Sequence, residues 1–225
     1  MKNGLALFLG VFAILGLSWV GLLLTAHEQL GGLSQFKDPL DETLYPQPLS
    51  GIADEGRLVY QDLGCVSCHT QQVRREGFGG DLGRKWGQRG SYARDYIRET
   101  TVFIGQHRLG PDLRNVGTRL GDTPNPDEYS DWFYKLLYAP QSVAPGTNMP
   151  AYTYLFDVHP LKGRQPSDKA LRLTGKAAAP AGFEVVPTAR ARALVTYLQS
   201  LKDTYDYPIE RSRNAPAEKP KEGGH

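Results

Sequence analysis

The chain has 225 residues, a formal net charge of +2 and 40% hydrophobic residues, enough for one sizeable domain plus extras with a core of its own. Two cysteines exclude a disulfide-dense scaffold, and the near balance of charge gives no sign of a nucleic-acid partner. The mean hydropathy of -0.42 describes a soluble domain, which makes one apolar stretch conspicuous.

That stretch, Leu5 to Leu24, reads LALFLGVFAILGLSWVGLLL, with Ser18 its only polar member. At about 1.5 Å per residue it spans the roughly 30 Å hydrocarbon core of a bilayer. A transmembrane helix is expected, giving an anchor over residues 1–26. The rival is a cleaved signal peptide, whose apolar region runs about 7 to 15 residues and ends in a small-x-small site. The run here is longer and Leu24-Thr25-Ala26 is a poor site, so an uncleaved anchor is favoured. Lys2 precedes the run and no Lys or Arg follows until Lys37, which predicts a cytoplasmic N-terminus. In a bacterium this means a single-pass inner-membrane protein whose domain lies in the periplasm. Ala6, Gly10, Ala13 and Gly21 share a stripe interrupted by Leu17. Either the stripe suits the close approach of another helix, or it reflects the frequency of glycine in membrane helices.

Residues 27–49 carry Gly31-Gly32, Pro39, Pro46 and Pro48 among polar residues and read as a semi-rigid linker. From Ser50, a plausible N-cap, the pattern turns helical, with Asp54 and Glu55 in the early turns. Ile52, Gly56, Val59 and Leu63 make an apolar stripe. Gly56 costs about 1 kcal/mol relative to alanine inside a helix, which a close crossing by another element would offset.

The stripe leads into Cys65-Val66-Ser67-Cys68-His69. At this C-x-x-C-H spacing two thiols can bond the two vinyl groups of one haem while the following histidine ligates its iron. The alternatives are a chance pentapeptide or half of a zinc site. Zinc wants about four ligands, and His27, His107, His159 and His225 form no second pair at ligand spacing. One covalent haem c is expected, with both cysteines used and no disulfide.

Beyond the motif, Ser91 to Thr101 and Ser130 to Tyr138 read as two shorter helices, capped by Ser91 and Ser130, the second stopped by Pro140. Thr70 to Leu120 holds ten Arg and Lys against five Asp and Glu, a local excess of +5. This reads either as propionate neutralisation and partner docking or as a solvated basic loop. Arg108 and Arg89 are the candidates for the propionates, since guanidinium pairs bidentately with carboxylate. Trp86 and Trp132 fit either a haem wall or ordinary core.

Only Met1 and Met149 are methionines, and Met1 precedes the apolar run. A thioether ligand would therefore be Met149, held on an extended segment by Pro145 and Pro150. Against this stand methionine as core filler and His107 or His159 as the ligand. A His69/Met149 iron has both axial positions filled and no place for substrate, which predicts an electron carrier, not a catalyst. Residues 157–186 read as an irregular insertion. After Pro187, Ala191, Leu194, Val195, Leu198 and Leu201 give a helical face with Tyr197 placed to lie against Gly56. The domain then runs over 50–205, and 206–225 reads as a disordered tail.

A helix running into C-x-x-C-H, a later methionine loop and a C-terminal helix of the type ALVTYLQSL resemble the class I cytochrome c fold. The likeness implies an all-α domain in which those two helices cross. It also implies that the carbonyl of Pro111, in Gly110-Pro111-Asp112-Leu113, accepts a hydrogen bond from the proximal imidazole. A Pro-Asp turn with no haem contact is the alternative. Together, EGRLVYQDLGCVSCHTQQVR, GQHRLGPDLRNVGTR and DWFYKLLYAPQSVAPGTNMPAYTYLF resemble subunit II, the membrane-anchored monohaem cytochrome, of the cbb3-type haem-copper oxidases. Asp81 to Thr101 departs from the pattern, and Pro124 to Glu128 looks inserted. The resemblance implies an electron-transfer subunit of a respiratory terminal oxidase. Its donor would be a dihaem cytochrome c subunit or a soluble cytochrome c, and its acceptor the haem-copper catalytic subunit that reduces oxygen. The cytochrome subunit of a nitric oxide reductase and a membrane-anchored haem sensor, which needs an open iron position, are the competing readings.

Overall fold

A computed structural model describes residues 3–119, 126–203 and 205–210. Lys2, part of the expected insertion at 124–128, and residues 211–225 of the expected tail lie outside the described residues. The chain forms two compact units: Met1–Gln47 with Tyr92–Thr100 and the stretch from Tyr207, and Pro48–Ser91 with Thr101–Asp206.

In the first unit, helix α1 (Gly4–Leu30) is long and apolar enough to cross a membrane, and none of its apolar window is buried. A π-helical turn at Val20–Leu24 interrupts it, and the Thr25 hydroxyl donates to the Val20 carbonyl at 3.2 Å. The expected linker is partly ordered. After α1, β1 (Phe36–Lys37) pairs antiparallel with β2 (Leu44–Tyr45) around a turn in which the Asp38 and Asp41 carboxylates accept from the backbone of Leu40 and Thr43. Ser91 to Thr101 is not a helix: Ala93–Tyr96 forms one 3-10 turn, and Ser91 caps nothing but accepts from the Val73 amide. Arg94 on that turn donates to the Ser34 carbonyl and to Glu210 at 3.1 Å, with its guanidinium over the Tyr207 ring. Tyr207, 1% exposed, also meets Phe36 and Tyr92 edge-on. The start of the expected tail is thus packed.

The second unit is built on a helix crossing. Helix α2 (Gly51–Asp62) begins at Ser50, whose hydroxyl accepts from the Ala53 amide at 3.3 Å. It buries Ala53, Gly56, Val59 and Tyr60, while Ile52 faces outward at 59% exposure. Of the expected stripe, Gly56 and Val59 are buried and Leu63 packs against the core, while Ala53 takes the buried place expected of Ile52. Short α3 (Val116–Arg119), α4 (Pro126–Tyr138) and α5 (Pro140–Val143) follow. Ser130 lies inside α4, not at its cap, and accepts from Gln199 at 2.9 Å. The C-terminal α6 (Ala189–Ser200) is capped by Thr188 and buries Ala191, Leu194, Val195, Tyr197 and Leu198. Helices α2 and α6 cross at Gly56, where an added Cβ would lie 1.9 Å from the Ala193 carbonyl oxygen and 2.7 Å from the Tyr197 Cβ.

The span 157–186 is not wholly irregular. Strand β3 (Phe156–Pro160) pairs antiparallel with β4 (Phe183–Pro187), with Phe156 opposite Pro187 and Val158 opposite Val185. Val185 is fully buried, and its carbonyl accepts from the Leu171 amide at 2.8 Å, which fastens the intervening loop to the core. The regular elements among the described residues are mostly helices, with these two small sheets added to the expected all-α pattern.

Candidate haem-binding site

Gly64, in the left-handed region at φ 69°, turns the chain from α2 into the 3-10 turn Cys65–Ser67. The Cys68 and His69 amides both donate to the Cys65 carbonyl, at 3.2 and 3.0 Å, so both thiols and the imidazole are carried on one turn. Both thiols are free and half-buried. Burial pushes the Cys65 thiol up to about 11, with a hydrogen bond from Tyr152 opposing it. It therefore stays a neutral thiol at neutral pH. Among the described residues no three His, Cys, Asp or Glu gather into a metal cage, which leaves the zinc reading without ligands.

The turn is strapped to residues 110–114. His69 Nδ1 lies 2.8 Å from the Pro111 carbonyl, the Gly110 amide donates to the Cys68 carbonyl at 3.0 Å, and the Leu113 amide donates to the Thr70 carbonyl at 2.7 Å. Because a carbonyl only accepts, Nδ1 carries the proton and Nε2 keeps the lone pair that an iron would need. Burial holds the imidazole below its usual value, so it stays neutral. Two residues that the sequence offered only as members of the Gly-Pro-Asp turn complete the strap. Gly110 lies against the imidazole, where a Cβ would come 2.2 Å from His69 Cε1. Asp112, fully buried, accepts from the Thr70 hydroxyl at 2.6 Å and from the Gln72 and Arg114 amides at 2.8 and 2.9 Å. The signal available was the Gly-Pro-Asp turn itself, but its partners lie some forty residues away, at a separation of 40 for Gln72 and 42 for Thr70.

Met149 sits on the irregular segment after α5, its amide bonded to the Thr147 hydroxyl at 3.2 Å. It is half-buried and packs on the same core as Cys65, Val66, Trp132, Tyr138 and Tyr152. His107 is exposed, and His159 stands on β3 opposite Glu184. The basic candidates have other partners. Arg89 donates to the carbonyls of Tyr205, at 2.7 and 3.0 Å, and Gly90, at 3.0 Å. Arg108 donates to both oxygens of Asp81, at 2.6 and 2.7 Å, and to the Gln72 carbonyl. Burial raises the Asp81 carboxyl, but Arg74 and Arg108 together hold it below the usual carboxylate value. Trp86 is not core: the guanidiniums of Arg84, Arg108 and Arg119 surround its ring at 5.0 to 6.0 Å.

The donor set, two half-buried thiols with a neutral imidazole against an apolar wall, fits a covalently held haem. The family described as cytochrome c oxidase, mono-heme subunit/FixO matches residues 34–176. The chain belongs to this family. The FixO match runs from Ser34, past the end of α1, into the loop beyond β3, and includes Cys65, Cys68, His69, Pro111 and Met149. Membership makes the chain a monohaem cytochrome c subunit of a cbb3-type oxidase, with a haem c and a haem-copper oxidase complex as its setting. No curated protein matches the chain. One N-terminal apolar helix agrees with a single-pass anchor in a FixO subunit.

Proposed function

We propose that this chain is the electron-transfer subunit that delivers electrons to the haem-copper catalytic subunit of its oxidase. It would hold one haem c in a class I cytochrome domain on the periplasmic side of the bacterial inner membrane, with α1 as the anchor and the N-terminus cytoplasmic. Its donor is a dihaem cytochrome c subunit or a soluble cytochrome c. The observation that supports this best is the imidazole of His69, fixed as the Nδ1–H tautomer by Pro111 on the same turn as two free thiols.

In this reading Cys65 and Cys68 would hold the porphyrin through their sulfurs, and His69 and Met149 would be the protein's ligands to its iron. The bound haem would supply one-electron redox chemistry. Pro111 orients the His69 ring and raises its basicity, as second partners of ligating histidines do. Tyr152, beside Cys65, and the half-buried side chains of Trp132 and Tyr138 keep water from the site. Arg108, tied to Asp81, braces the loop over Gln72.

The test is carbon monoxide added to the reduced, purified complex. The wild-type c-haem spectrum should stay essentially unchanged, whereas Met149→Ala should take up the gas and lose oxygen-consuming turnover. Full, rapid carbonyl formation in the wild type, or unimpaired turnover in Met149→Ala, would overturn the proposal.

A further inference from the structure

The loop around Lys85 and the residues of α3 border a cavity of about 560 Å³ that is open to solvent on one side. Its polar walls are Lys85, Gln88, Asn115, Thr118 and Arg119, with no carboxylate among the described residues that line it. Two cations and two amides present donors to one space, the chemistry of an anion site, while the Thr118 hydroxyl donates to the Asn115 carbonyl at 3.0 Å. The backbone is shaped around it. Lys85 stands in the left-handed region at φ 58°, an unfavourable place for a side-chain-bearing residue, on a turn closed by its amide to the Leu82 carbonyl at 2.9 Å. Gly87 lets the loop close, since a Cβ there would come within 2.8 Å of Val73 and 2.9 Å of Asn115. Among the described residues no ion pair or hydrogen bond engages the Lys85 ammonium.

The cavity adjoins the haem-binding strap. Arg119 donates to the carbonyl of Asp112, the neighbour of Pro111. The arginines that the sequence singled out point elsewhere, Arg89 to backbone carbonyls and Arg108 to Asp81. We propose that this cavity receives the propionate carboxylates of the haem, with Lys85 and Arg119 supplying the charge and Gln88 and Asn115 neutral hydrogen bonds. The proposal rests on the haem reading above. Carboxylates drawn out of water need paired charge and satisfied lone pairs, which the two cations and the amide groups of this cavity can supply. The surrounding charges are accounted for: Arg84 and Arg108 lie against Trp86, Arg74 and Arg108 neutralise Asp81, and Asp112 is held by Thr70 and two backbone amides.

Lys85→Gln, Lys85→Gly and Arg119→Gln in the full-length haem-loaded protein test this through the midpoint potential measured against pH. A cation beside the haem favours the reduced, less positive state, so each variant should have a lower midpoint. A propionate that loses its cationic partner titrates at higher pH, so the pH-dependent part of the profile should move upward. Lys85→Gly removes the charge while relieving the backbone, so the same shift in a variant no less stable than wild type separates charge from misfolding. Covalent haem content and the axial-ligand bands should be unchanged, whereas failure of the haem reading itself would show as no covalent haem in the wild type. An unchanged midpoint and profile in both Lys85 variants would overturn the proposal. So would saturable binding of inorganic phosphate to the haem-loaded wild type that is lost in those variants, since the cavity would then be open to a free anion.

Discussion

At Gly110 a hydrogen atom in place of a side chain lets the His69 imidazole lie under the Pro111 carbonyl. The position a Cβ would take is 2.2 Å from Cε1, and the opposing atoms belong to a ring pinned at both ends of its strap. Gly110→Ala should therefore displace the ring at an overpacking cost of about 1–3 kcal/mol. The measurement is the yield of covalent haem and the intensity of its reduced absorption bands, both expected to fall. Asp81 makes a pH-dependent contribution. Its folded value lies below that of the unfolded chain, about 3.9, so its stabilisation is complete above roughly pH 4. That stabilisation is lost as pH falls through the lowered native value. In acid titrations followed by tryptophan fluorescence, Asp81→Asn should be less stable at neutral pH, and its disadvantage should shrink toward low pH. The motif residues Cys65, Cys68 and His69 were legible because their geometry is local to one turn. Arg108 was legible only as a residue type: that it faces Asp81, twenty-seven positions earlier, is a property of the folded loop.

Helices α2 and α6 meet where both backbones are least covered. Gly56→Ala would gain about 1 kcal/mol in helix propensity but drive a methyl group into the Ala193 carbonyl, whose backbone cannot rotate away. A net loss of about 1–3 kcal/mol is expected, read as a lower denaturant midpoint of the full-length protein in detergent. The crossing could be anticipated because a glycine inside an amphipathic run asks for a close neighbour. On α2 only Ile52 was misplaced, since Ala53 and Ile52 are both apolar and only the partner helix selects between them. The β3–β4 ladder was missed because its two alternating runs stand twenty-two residues apart, with no turn signal to join them. Ser91 and Ser130 show the same limit. Each carries a good capping side chain, and each hydroxyl instead meets a partner from a distant segment.

On the scale of the whole molecule, a bare apolar helix and a packed haem-binding unit require different solvents. Leu17 is 72% exposed on α1 and sits near its middle. Leu17→Arg should cost about 2.5–3.5 kcal/mol of membrane insertion, so that after alkaline extraction more of the variant than of the wild type leaves the membrane pellet. By itself the sequence determined what depends on neighbours along the chain: the apolar run, the haem motif, the capped start of α2, the apolar face of α6, and membership of a cytochrome family. Only the tertiary structure decided what depends on distant partners. The Asp112 and Gly110 strap, the Asp81 ion cluster, the packing of Tyr207 and the cation-lined cavity at Lys85 each join segments that the chain order keeps apart. Side-chain chemistry can be read from one residue, but a hydrogen bond or a steric limit belongs to a pair, and the pair exists only once the chain has folded.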